Sequence, residues 1–200
     1  MAGSSAPRVG VLALQGDVRE HVSALTSLGA EVTLVRTPDD LAGIDGLVIP
    51  GGESSVMDKL TRAFGLAGPI RQAIGTGMPV YGTCAGLIML ADTIVDAIEG
   101  QQSLGGLDIE VRRNAFGSQL DSFEATVQFP ILGQPPVHAV FIRAPLVEKV
   151  GPAVTVLGTL EDGRIIAVEQ GNLLGTAFHP EISGELRFHR RFLDRVRARS

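Results

Sequence analysis

The chain is predicted to fold as an α/β protein built on a doubly wound mixed sheet, with an antiparallel β extension in its carboxyl-terminal half. Three observations carry that expectation. Continuous apolar runs at residues 9–14 and 46–49, of the kind found in strands buried on both faces, alternate with a helical stretch in a βαβ rhythm. Residues 78–90 pass from a strand-like run through Gly82-Thr83-Cys84-Ala85-Gly86 into an apolar segment of helical length. From Leu107 onward, short strand-like segments follow one another with no helix of comparable strength between them.

The elements follow in order. Residues 9–14 form the first strand and Gln15-Gly16-Asp17 the turn after it. Val18, Val22, Leu25 and Leu28 then recur at helical spacing until Gly29 stops the helix. Residues 31–35 are a second strand, 39–41 a short connector and 46–49 a third strand. Pro50-Gly51-Gly52-Glu53-Ser54-Ser55 leaves that strand through a glycine pair and enters a helix, with Ser54 or Ser55 as the cap. Strands are expected at 108–111, 123–127, 139–142, 154–157, 165–168 and 173–178. The end, residues 185–199, reads as a helix with Phe188, Phe192, Leu193 and Val196 on one face and arginines elsewhere, a packed terminal helix with a solvated basic side.

Composition narrows the function classes. The 200 residues, 44% hydrophobic and 20% charged, suffice for one domain that buries roughly 70% of the unfolded chain's surface. Residues 1–200 are therefore expected as a single domain, with 1–7 a flexible tail. Cys84 is the sole cysteine, which excludes an intramolecular disulfide and a thiolate zinc cluster and fits a reducing, cytoplasmic setting. The histidines do not form ligand spacings, so no metal site is expected. A net charge of −5, no Trp and one Tyr argue against nucleic-acid binding. Residues 72–91 carry no charge, but Gly75, Gly77, Pro79, Gly82 and Gly86 break the run, so no membrane span is expected. Small-molecule chemistry remains.

Two motifs point to its kind. In a Gly-x-Cys-x-Gly turn between strand and helix, flanking glycines let backbones pass closely while the central residue sits strained above the sheet. A sulfur there lies at a helix N-terminus, where free N–H groups favour a thiolate and hold a developing oxyanion. The alternative is a buried structural cysteine. Later, Phe178-His179-Pro180-Glu181 ends the last strand. In extended chain, positions i and i+2 face one side, so Glu181 is expected to orient the imidazole of His179. Nucleophile, base and orienting acid then appear in the order Cys84, His179, Glu181. The glycine pair at 51–52 suits an anion or a tetrahedral oxyanion; no Lys follows it as in a Walker loop.

These residues resemble the class I (triad) glutamine amidotransferase family, whose sheet is of the flavodoxin-like type. Within it, the stretches Leu14-Gln15-Gly16-Asp17-Val18-Arg19-Glu20-His21, Arg113-Asn114-Ala115-Phe116-Gly117 and Phe141-Ile142-Arg143-Ala144-Pro145 are similar to those of the glutaminase subunits of pyridoxal 5′-phosphate synthases. The resemblance implies L-glutamine as substrate and contacts to it from Gly52, Glu53, Ser54, Arg113, Ile142 and Arg143. It also implies oxyanion donors at Gly51, Gly52 and Ala85, no cofactor, and a synthase subunit of the PdxS type as partner. Arg112 and Arg113, being adjacent, should face opposite ways in a strand, and Arg113 is assigned to the site on family grounds. Gln15, beside the glycine pair, is expected to couple the site to the partner. Readings left open are a glutaminase subunit of another amidotransferase, a thiol hydrolase of γ-glutamyl peptides, and a catalytically idle regulatory subunit.

Overall fold

The computed structural model describes residues 6–113 and 122–199. Residues 1–5 of the expected tail and the 114–117 part of the Arg113-Asn114-Ala115-Phe116-Gly117 marker lie outside the described residues. In chain order the elements are β1 (Arg8–Leu12), α1 (Val18–Ser27), β2 (Glu31–Val35), a 3-10 turn (Pro38–Leu41), β3 (Gly46–Ile49), α2 (Ser54–Ala63), α3 (Ala67–Gly75), β4 (Val80–Thr83), α4 (Ala85–Leu90), β5 (Ala91–Val95) and β6 (Leu107–Arg112). They continue with β7 (Ser122–Val127), β8 (Val137–Ile142), β9 (Leu146–Val150), β10 (Thr155–Thr159), β11 (Ile165–Gln170), β12 (Leu173–Thr176), α5 (Pro180–Ser183) and α6 (Arg187–Arg199).

The main sheet runs β2-β1-β3-β4-β12-β11-β9-β6-β5, with β10 paired to β11. Its first five strands are mutually parallel. Beyond β12 the pairing turns antiparallel through β11, β9 and β6, and β5 lies parallel to β6 at the far edge. The expected mixed sheet with an antiparallel extension is therefore present, and its composition differs in three respects. Strands β5 and β9 are additional, and β5 begins directly after α4. Strands β7 and β8 leave the extension and pair only with each other as a second, two-stranded sheet. The first strand stops at Leu12, and β12 stops at Thr176.

Because the five central strands are parallel, β1, β3, β4 and β12 all end on one edge. That edge gathers the turns beginning at Gln15, Gly51, Cys84 and His179. One hydrophobic core runs through both sheets, and α6 closes it from below with Phe188, Phe192, Leu193 and Val196 all buried. Its arginines turn outward, where Arg191 and Arg195 both engage Glu169. Among the described residues no helix is long and apolar enough to cross a membrane.

The turn after β4 is fixed by close backbone contact. A Cβ on Gly86 would stand 2.0 Å from the Ile49 carbonyl oxygen at the end of β3, and one on Gly82 would stand 2.5 Å from the Gly86 carbonyl. No side chain fits either place, so α4 sits down on the sheet only because both residues are glycine. The opposite holds at Gly68 in α3, where an added Cβ meets nothing within 4 Å. Gly86→Ala is expected to cost about 2–3 kcal/mol through overpacking against backbone, a fall in melting temperature of about 5–10 °C for a chain of this size. Gly68→Ala is expected to raise stability by about 0.5 kcal/mol by removing unfolded-state freedom. Thermal unfolding of the two variants checks both signs.

Candidate active site

Cys84 joins β4 to α4 with φ 48° and ψ −103°, a conformation that L-residues rarely adopt. Its N–H donates to the Thr176 carbonyl at 2.8 Å, pinning the elbow to the end of β12. The side chain is buried, and Sγ lies 3.7 Å from the Ile142 carbonyl at the end of β8. The small second sheet thus roofs the sulfur from one side. Ala85 is the first residue of α4, and first-turn N–H groups have no acceptor within their own helix.

His179 lies two residues beyond Ala177, outside the strand in which it was expected, and caps the short helix α5. Its N–H donates to the Val140 carbonyl at 2.9 Å, and the preceding Phe178 is clamped among Phe129, Phe141 and Phe188. Nδ1 meets Glu181 Oε1 at 2.8 Å. Glu181 arrives by a different route from the one expected: Pro180 opens a helical turn, and the carboxylate folds back from its first turn instead of standing two places along a strand. Nδ1 also meets Asp17 Oδ2 at 3.2 Å. Asp17, at the N-cap of α1, escaped the sequence reading, although it stands two residues from Gln15 in the same strand-end turn. The imidazole rests on Gly51, where a Cβ would come within 2.4 Å of the ring. This close approach is what requires glycine at Gly51.

Burial by itself would strip His179 of its proton, but contacts with Asp17, Cys84 and Glu181 together outweigh it and push the group up to about 12. Burial pushes the Glu181 carboxyl up, with the hydrogen bond from His179 opposing it. The proton therefore belongs on the imidazole at neutral pH. Asp17, His179 and Glu181 are also the one group among the described residues with spacing suited to a metal, and the shared imidazole proton accounts for their convergence.

A second network flanks the sulfur. Arg113 donates to Glu53 Oε1 at 3.0 Å and to Gln101 Oε1 at 2.9 Å, and the Gln101 amide donates to Ser54 Oγ at 3.1 Å. Glu53 and neither serine caps α2, accepting from the Ser55 N–H at 3.1 Å. A carboxylate reaches back over the helix N-terminus more readily than the short Ser54 side chain, which is engaged by Gln101. Burial raises the Glu53 carboxyl, but the Ser55 hydrogen bonds and Arg113 outweigh it and hold the group below its usual range. Arg112 points the other way, to Glu148 and Asp96. Gln15 Oε1 accepts from the Glu53 N–H at 2.9 Å, and a Cβ on Gly52 would lie 2.3 Å from it. The Gly51 carbonyl accepts from the Asp17 N–H at 3.1 Å, so the trans peptide aims the Gly52 N–H the opposite way.

Cys84, Ile142, His179, Glu181, Gly51, Gly52, Glu53, Ser54, Arg113 and Gln15 thus share the carboxyl edge of the sheet. Arg143, one residue past β8, is exposed and holds φ 43°. Gln101, which bridges Ser54 and Arg113, had no sequence signal: it stands in irregular chain between β5 and β6.

A doubly wound sheet carrying an elbow cysteine beside a histidine with its own carboxylates defines the thiol-dependent amidotransferase class. Residues 11–198 match the SNO glutamine amidotransferase family, and the chain belongs to it. It is 70% identical over 199 residues to the pyridoxal 5′-phosphate synthase subunit PdxT of Leifsonia xyli subsp. xyli (strain CTCB07), with 100% of both chains covered. It is 68% identical to the PdxT of Clavibacter michiganensis subsp. michiganensis (strain NCPPB 382), covering 98% of this chain and 97% of that one. A crystal structure of a glutamine amidotransferase superposes with a TM-score of 0.88 at 45% identity, covering 94% of this chain and 98% of that one.

Since the folded-state value of His179 lies above the ordinary value of about 6.5, its ion pairing stabilises the fold fully below that pH and is lost as pH climbs toward about 12. Nitrogen-15 NMR of the ring is expected to show an imidazolium at pH 8. Asp17→Asn and Cys84→Ala should each move its midpoint downward. A wild-type midpoint near about 6.5 contradicts the assignment.

Proposed function

We propose that this chain is the glutaminase subunit of a pyridoxal 5′-phosphate synthase, hydrolysing L-glutamine to L-glutamate and ammonia in the cytoplasm and passing ammonia to a PdxS-type synthase subunit. Family membership and full-length similarity to PdxT support the overall activity. The observation that carries the residue roles is the convergence of Cys84 and of a His179 held by both Asp17 and Glu181 on one sheet edge.

In this reading Cys84 Sγ, its proton held by His179, attacks the side-chain amide carbon of glutamine. The carbonyl electrons move to oxygen, where the N–H groups of Ala85 and the Gly51-Gly52 turn receive them. As the tetrahedral centre collapses, the C–N bond breaks and His179 gives its proton to the departing nitrogen, leaving a γ-glutamyl thioester and ammonia. Water then attacks the thioester, yielding a proton to His179, and breaking the C–S bond releases glutamate. Glu181 keeps the imidazole aimed throughout.

Glutamine presents an α-carboxylate and an α-ammonium group. Arg113 and Arg143 supply cationic donors for the first and Glu53 an anionic acceptor for the second, with Gly52, Ser54 and the Ile142 backbone completing the contacts. Arg113 is already held by Glu53 and Gln101, which places its guanidinium with little entropy left to lose.

Uncoupled hydrolysis wastes glutamine, so the oxyanion donors are best completed on docking. The Gly51-Gly52 peptide is suited to that switch, because glycine reorients its backbone at low cost and Gln15 packs directly on it. The isolated chain is expected to be a poor glutaminase. Adding the synthase should raise kcat by about 100–1,000-fold, the scale of gaining one oxyanion donor, with a weaker response in Gln15→Ala. Full activity of the chain alone, unchanged by the synthase, would overturn this reading.

A further inference from the structure

Beneath the candidate triad lies a pair of histidines that the reaction does not use. His21 of α1 and His189 of α6 are both fully buried, and His21 Nδ1 stands 2.9 Å from His189 Nε2 across 168 residues of sequence. The other nitrogen of His21, Nε2, lies 3.1 Å from Thr83 Oγ1 and 3.5 Å from Glu181 Oε1. Thr83 is the residue before Cys84, and Glu181 is the carboxylate on His179. His21 therefore touches the supports of both nucleophile and base and neither reacting atom.

We propose that His21, backed by His189, is a positioning residue for the hydrolysis assigned above: its Nε2–H bonds Thr83 under the elbow and, 3.5 Å from Glu181 Oε1, turns its positive end to the carboxylate that holds His179. This inference rests on that functional reading. The direction of donation follows from counting hydrogens. A neutral imidazole donates through one nitrogen and accepts through the other. Burial lowers both rings, His189 to about 4 and His21 well below its usual range, so neither carries a second proton at neutral pH. The carboxylate only accepts, and with Oε2 buried and no partner there, it is stabilised by the positive end of an N–H near Oε1 and destabilised by a lone pair in the same place. With the hydrogen on His21 Nε2, His21 Nδ1 accepts from His189 Nε2–H. His189 Nδ1 is then left as a bare lone pair, and that atom has no hydrogen-bond partner. The Glu185 carbonyl one turn earlier biases His189 without reaching hydrogen-bond geometry. The reversed order, with His189 donating toward Glu185, would aim a lone pair of His21 at the carboxylate.

Sequence spacing adds a second argument. Asp17 and His21 are one helical turn apart at the start of α1, so they share a face. Asp17 reaches His179 and His21 reaches Glu181, which makes the first turn of α1 a two-point support for the histidine and its acid.

The test measures glutaminase kinetics of the chain in complex with its synthase. His21→Leu, which fills the site without a donor, is expected to lower kcat by about 10–100-fold, the scale of losing an outer positioning contact, with KM unchanged within about twofold. His21→Gln, which restores an N–H near the Nε2 position, should recover most of that loss. In a Glu181→Leu background, which has no acceptor at that position, His21→Leu should cost little more, because the contact it removes is already gone. If His21→Leu does not fold, His189→Leu removes the supporting donor and should move kcat the same way. Alkylation of Cys84, the sole thiol, by iodoacetamide gives a readout free of glutamine. It should slow in His21→Leu even if the wild-type complex hydrolyses no glutamine, an outcome that would reject the functional reading separately. A folded His21→Leu with wild-type kcat and alkylation rate, or a full independent loss in the Glu181→Leu background, would overturn the proposal.

Discussion

The contact on which the site depends is the approach of Gly86 to the carbonyl of Ile49, closer than any side chain would permit. It seats α4 directly on the sheet and forces the chain to turn within one residue, and that residue is Cys84, held at φ 48°. Strain of this kind costs about 1–3 kcal/mol and persists only where surrounding structure over-determines it. Here the over-determination is visible: the Cys84 N–H is tied to β12, Gly82 leaves no slack beneath the helix, and all six residues of α4 are buried. The same register that fixes the cysteine brings the end of β12, and so His179, to its side.

Electrostatics then settles which proton sits where. A buried imidazole is ordinarily neutral, as His21 and His189 are. His179 differs because two carboxylates and the Cys84 sulfur face it within the same low-dielectric pocket, so burial strengthens the attraction that it would otherwise oppose. Three histidines a few ångströms apart thus fall into two classes, one raised by facing carboxylates and two lowered by burial. The division arises from which residues α1 and α5 present to each ring. The dense pairing around Glu53, Arg113, Gln101 and Ser54 serves the other end of the site, holding opposite charges ready at fixed positions.

Much of this was legible in the sequence, and the reasons are local. Apolar runs bounded by glycines located β1 to β4, and Gly82-Thr83-Cys84-Ala85-Gly86 located the elbow, because backbone sterics act over a few residues. The His179 and Glu181 pairing was legible for a mistaken reason. Pro180 opened a helix where an extended chain was expected, and either geometry brings residues two apart within reach. What escaped depends on distant partners. The departure of β7 and β8 from the main sheet is decided by packing over the site, and the facing of Asp17 onto His179 by the crossing of α1. Gln101 joins the site from irregular chain, and His21 meets His189 only because α1 and α6 converge under the sheet. No periodicity records such meetings.

The central claim is that Cys84 and His179 operate as one nucleophile and base pair. Rapid acid quenching of the complex during glutamine turnover, followed by intact-mass and peptide analysis, tests it most directly. The account predicts a γ-glutamyl adduct on Cys84 in the wild type and none in Cys84→Ala. Steady glutamine hydrolysis by Cys84→Ala, or an adduct carried on any residue other than Cys84, would contradict it.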